Sequence, residues 1–134
     1  AAFKRECRRI LAAEGRIALI WNSRVEDGPI VREEGNIHRL YCPRFYGFSG
    51  GLADLTDRLG EFFDHRFRVF RFPNDLSYTR DQYLRRMMSA SYALTEKDEG
   101  HSPWLDALNG LFDRFETGGR VTVPNETVVY LGAC

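Results

Sequence analysis

The stretch FKRECRRILAAEGRIALIWNSR, residues 3–24, decides how this chain is read. Phe3, Cys7, Ile10 and Leu11 fall at i, i+4, i+7 and i+8, with Lys4, Arg5, Arg8 and Arg9 between them. That spacing predicts an amphipathic helix over residues 2–13 with one apolar stripe. Gly15 ends it, and Ile17-Ala18-Leu19-Ile20-Trp21 follows without a polar break, which predicts a strand covered on both faces. Helix, glycine, apolar strand is the order in which an α/β sheet is written.

Downstream, residues 28–41 form a weaker helical pattern with Ile30, Ile37, Leu40 and Tyr41 on one side. Gly35 inside it costs about 1 kcal/mol relative to Ala. A loop with Pro43, Gly47, Gly50 and Gly51 leads to a helix carrying Leu52, Leu55, Leu59, Phe62 and Phe63. In residues 65–72 the alternation changes parity, Phe67 and Val69 facing one way and Phe70 and Phe72 the other, so this strand is buried on both sides or bulged. Thr79 and Gln82 are spaced as a capping box for a helix with Leu84, Met87, Met88 and Ser91 on one face. Ser102-Pro103 opens another helix ahead of Trp104, Leu105, Leu108, Leu111, Phe112 and Phe115. Gly118-Gly119 stops it, Val121 and Val123 alternate, the chain turns at Pro124-Asn125, and Thr127 to Leu131 is a closing strand.

The 134 residues carry 19 Lys+Arg and 19 Asp+Glu and are 43% hydrophobic, enough for a packed core and without the basic surplus of a nucleic-acid binder. Only Lys4 and Lys97 are lysines; arginine carries the rest of the positive charge. Arg66, Arg68 and Arg71 beside Arg85 and Arg86, interleaved with Phe67, Phe70 and Phe72, are the only strip that argues for RNA. Cys7, Cys42 and Cys134 lie far apart with no CxxC pair, which argues against a zinc site and fits a cytoplasmic protein. No apolar run nears the roughly 20 residues that span a bilayer, so no membrane is expected. His38, His65 and His101 read as surface residues outside any nucleophile pattern, and Asp54 and Asp57 as first-turn residues explained by the helix dipole.

Residues 3–22 resemble class I S-adenosylmethionine-dependent methyltransferases, from the helix after their fourth strand through the fifth. There a helix ending in a pattern like RxLxPGG leads into an apolar strand; here Ala13-Glu14-Gly15 stands in its place. Trp21-Asn22-Ser23-Arg24 resembles a bacterial subgroup whose strand closes on WN-x-R, and residues 45–51, 89–92 and 127–132 resemble it too. The resemblance implies an α/β fold: the C-terminal part of a Rossmann-like methyltransferase, with about three strands, the last antiparallel, and four to five helices. Residues 1–134 would then be the C-terminal portion of the domain. The glycine-rich turn that holds S-adenosylmethionine would precede Ala1, and no cofactor-binding residue would lie in this chain.

Because the crevice of an open α/β sheet lies beyond the carboxyl ends of its strands, Trp21, Asn22 and Arg24 are candidates for binding a small-molecule acceptor. Arg24 is suited to grip a carboxylate or phosphate bidentately. Ser89, Ser91 and Tyr92, near the end of a helix that would cover the pocket, complete the candidate set. The competing reading is a non-catalytic α/β module that pairs, as a homodimer or with another chain, through an exposed sheet edge.

Overall fold

The computed structural model describes residues 2–48 and 55–133. Along the chain run α1 (Ala2–Ile10), β1 (Ile17–Arg24), α2 (Pro29–Tyr41), α3 (Leu55–Phe62), β2 (Phe67–Pro73) and β3 (Leu76–Thr79). Then follow α4 (Arg80–Met88), α5 (His101–Phe115), β4 (Arg120–Val123) and β5 (Asn125–Gly132). The described residues form an α/β arrangement with five helices, divided into two compact units. The helix predicted to begin at Leu52, the Gly50-Gly51 pair and Asp54 lie partly or wholly outside the described residues.

One unit comprises residues 1–23, 52–73 and 126–134. Its sheet has the order β1-β5-β2, with β5 in the middle and antiparallel to β2. The β2–β5 register runs one for one from Phe67 opposite Gly132 to Pro73 opposite Glu126, so the parity change in β2 is not a bulge. Nor is the strand buried on both sides: Phe67 and Phe70 are half-buried, and Val69 and Phe72 are exposed. Phe63, Cys7, Leu59 and Val128 are its buried apolar residues. Helix α1 is fastened by Lys4, whose Nζ donates to Asp64 at 2.6 Å and to the Glu61 carbonyl at 2.7 Å. Phe3 stacks on Phe62.

Three expectations change in this unit. The apolar stripe of α1 buries Cys7 and leaves Ile10 exposed. In β1, Ile17 and Leu19 are half-buried while Ile20 is 61% exposed and Trp21 39% exposed. An apolar run records what a strand can bury, and the cover itself depends on what packs there. Helix α1 ends at Ile10, short of the predicted residue 13 and of Gly15, and the left-handed residue is Glu14 (φ 64°). Gly15 is required by close approach, since a Cβ there would lie 2.8 Å from the Ala12 carbonyl oxygen.

The second unit, residues 24–51 and 74–125, holds a continuous core. Trp104, Leu108, Leu111 and Phe112 of α5 pack with Ile30 and Val31 of α2, Tyr83 and Met87 of α4, and Val121 and Val123 of β4. Strands β3 and β4 form a second, antiparallel sheet with Leu76 opposite Val123. The sequence reading had not assigned β3, so the described residues contain five strands in two sheets rather than about three. The capping box at α4 forms: Gln82 N–H donates to Thr79 Oγ1, and Thr79 N–H donates to Gln82 Oε1 at 3.0 Å. Helix α4 stops at Met88, so Ser91 lies past its end and is exposed. Helix α5 begins at His101 after Gly100, and Ser102 makes no cap. Pro124 joins β4 directly to β5, which begins at the predicted turn residue Asn125.

No helix among the described residues is long and apolar enough to cross a membrane.

Candidate functional site

Helix α2 buries a face that its sequence does not advertise. Ile30, Glu34 and His38 recur every four residues, Val31 and Gly35 lie beside them, and all five are buried, while Leu40 is exposed. Glu34 and His38 have no exposed surface at all. A buried carboxylate needs positive partners, since an isolated charge in a core costs several kcal/mol. Two arginines supply them: Arg24, the last residue of β1, and Arg86 of α4. Arg24 Nε lies 3.7 Å from Glu34 Oε2, and Arg86 Nη1 lies 3.7 Å from Glu34 Oε1.

These distances make ion pairs without direct hydrogen bonds. Among the described residues, the buried side-chain polar atoms that lack a hydrogen-bond partner all belong to this cluster: Arg24 Nε, both Glu34 oxygens, His38 Nε2, Tyr83 OH and Arg86 Nη1. Native cores satisfy nearly all such atoms, so their concentration in one place marks a polar site.

Aromatic rings enclose it. The Arg24 guanidinium lies 4.4 Å from the centre of the Phe48 ring, and Arg86 lies 5.3 Å from that of Tyr78, both cation–π distances. Around His38 stand Tyr92 at 4.9 Å, Phe45 at 5.2 Å and Trp104 at 6.1 Å between ring centres. Trp104 Nε1–H donates to His38 Nδ1 at 3.3 Å, which leaves the imidazole proton on Nε2. Phe48 also lines an open cavity of about 250 Å³ with Val31, Arg32, Gly35 and Arg39.

Burial, then the charges of Arg24 and Arg86, hold the His38 imidazole down to about 4, so it is neutral at pH 7. Burial pushes the Glu34 carboxyl up, against the pull of Arg86 and Arg24. The Arg24 guanidinium is drawn down by burial and then by Arg86, and Tyr83 and Tyr92 are pushed up chiefly by burial. Among the described residues no group of three or more His, Cys, Asp and Glu is placed to hold a metal.

Of the residues singled out from sequence, Arg24 and Tyr92 stand in this cluster. Trp21 and Asn22 belong to the sheet unit: Trp21 meets Tyr130 edge-on at 5.4 Å, and Asn22 Oδ1 accepts from the Thr127 hydroxyl at 2.8 Å. Ser89 Oγ donates to the Arg86 carbonyl at 2.8 Å, the local bond of a helix end. Sequence reasoning missed Glu34, Tyr83 and Arg86, and it placed His38 on the surface. The four-residue recurrence of Ile30, Glu34 and His38 was the available signal. Three arginines of the strip are ion-paired, Arg71 with Glu126, Arg85 with Asp81 and Arg86 with Glu34, and Arg68 lies 4.9 Å from the centre of the Phe70 ring.

The chain matches no protein-family profile and no curated protein.

Proposed function

We propose that this chain is the acceptor-binding portion of an S-adenosylmethionine-dependent methyltransferase acting on a small molecule. The observation that carries the reading is Arg24. It closes the WN-x-R strand and turns its guanidinium into a buried polar cluster walled by Phe48, Tyr92 and Tyr78. Methyl transfer depends mainly on holding an acceptor atom in line with an electrophilic methyl, so an acceptor site has to orient rather than react. A charged floor with aromatic walls does that for a small molecule carrying a polar group. We assign Arg24 and Tyr92 to the acceptor, Trp21 and Asn22 to the strand that carries Arg24, and Ser89 to its helix end.

S-adenosylmethionine supplies the methyl group in this reading. Among the described residues no strand opens into a glycine-rich turn and helix, so the residues present do not fit the cofactor, and its binding is assigned to sequence upstream of Ala1.

Calorimetric titration tests the assignment. The product of the whole gene is expected to bind S-adenosylmethionine at micromolar concentrations, and the 134-residue chain is expected not to. An open reading frame that starts at Ala1, or micromolar binding by the chain alone, overturns it. A second reading draws on β1 and β2, which flank β5 and expose Ile20, Trp21, Val69 and Phe72. These strands suit pairing with another chain, without catalysis. A stable dimer in sedimentation, together with no upstream coding sequence, favours that alternative.

A further inference from the structure

Glu34 has no exposed surface, whereas the side chains of Arg24 and Arg86 are 22% and 18% exposed. The two guanidiniums are therefore gripped from beneath by one carboxylate and still reach solvent. Two positive charges face a single negative one, and each arginine sits in the repulsive field of the other. One further anion on the solvent side relieves that repulsion, and guanidinium forks match a planar carboxylate bidentately. We propose that Arg24 and Arg86 form a subsite for the carboxylate of a small organic acid, with Glu34 as the positioning residue that holds both guanidiniums.

The surroundings specify the rest of the ligand. Phe48 and Tyr78 border the arginines with aromatic surface and Tyr92 stands against His38, which suits an acid with an apolar body. The cavity beside Phe48, with Arg32, Arg39 and Glu26 on its wall, provides open space next to the subsite. Against Arg24, Arg86 and Glu34 alone, a monoanion balances the excess of one positive charge. This inference rests on the reading of the cluster as the acceptor site and deepens it by naming the acceptor's chemical class.

Nuclear magnetic resonance of the isotope-labelled full chain, without S-adenosylmethionine, tests it directly. Benzoate is expected to shift the side-chain N–H signals of Arg24 and Arg86 saturably, while benzamide, its uncharged counterpart, leaves them in place. Arg86→Lys keeps the charge and removes the fork, and is expected to weaken benzoate about tenfold. Arg24→Lys makes the same comparison if Arg86→Lys does not fold. Glu34→Asp withdraws the anchoring carboxylate by one methylene and is expected to shrink the benzoate-induced arginine shifts with circular dichroism unchanged. Unaltered shifts in that variant overturn its positioning role. Equal response to benzamide, tighter binding of inorganic phosphate, unchanged affinity in the lysine variants or no shift at all each overturns the carboxylate subsite. Benzoate binding without methyl transfer by the whole gene product keeps the subsite and discards the methyltransferase. Methyl transfer without benzoate binding does the reverse.

Discussion

In the sheet unit Phe3, Ile10, Ile20, Trp21, Val69 and Phe72 are exposed, while in the helical unit Glu34 and His38 have no exposed surface. Among the described residues, the fully buried charged or titratable side chains all lie in the helical unit. The continuous core of Trp104, Leu108, Leu111 and their neighbours lies entirely in the helical unit. Closed packing of that kind makes a buried charge tolerable, because the surrounding elements fix its partners at a set distance. Both units expose large apolar side chains, Leu40 and Tyr46 in the helical unit among them, so the difference between them lies in the helical unit's continuous core and the charges it encloses.

The sharpest way to break this comparison is at Glu34. Glu34→Ala leaves two partly buried guanidinium groups without their shared carboxylate and is expected to cost about 3 kcal/mol in urea denaturation. Replacing Arg24, Glu34 and Arg86 together by apolar residues of similar size is expected to cost far less. If the single and triple replacements cost the same, the cluster is not an interdependent ionic unit.

A pH series comes next in size. His38 is held neutral to about pH 4 against an unfolded value near 6.5. A depressed value stabilises the fold above the unfolded pKa, so up to about 3 kcal/mol is expected to be lost as pH falls from 6.5 toward 4. Glu34, whose carboxyl is raised by burial, works in the opposite sense and loses stability as pH rises. The decisive readout is the difference between the wild type and His38→Phe, with the wild type losing more on acidification.

Smaller effects sharpen the contrast. Thr79→Ala removes the capping hydroxyl of α4 and is expected to cost about 1 kcal/mol. Ile20→Ser, on the exposed face of β1, is expected to stay within about 0.5 kcal/mol while lowering binding of hydrophobic dyes. A loss above that at Ile20 means the sheet face is covered in solution.

Local signals carried most of the elements. The stripe around Cys7, the Thr79 capping box and the Gly118-Gly119 stop are written in neighbouring residues, and helices and strands formed at or near them. Strand β3 escaped because Leu76 to Thr79 is short and its pairing with β4 joins residues more than forty positions apart. The site was legible only at Arg24 and Tyr92. Glu34, Tyr83 and Arg86 come together through packing of α2 against α5 and of α4 against α5. A charged residue on a helix reads as solvated until a distant partner is known, and α2 therefore showed its helical period while concealing which face is inside.

The bond from Trp104 to His38 has a consequence for chemistry in the helical unit. Nδ1 holds the only lone pair in the ring plane of the neutral imidazole, and the indole N–H occupies it. His38 can therefore donate a hydrogen bond from Nε2 but has no free basic nitrogen with which to remove a proton. A group at this cluster that has to lose a proton therefore gives it up to another base or to solvent, and not to His38.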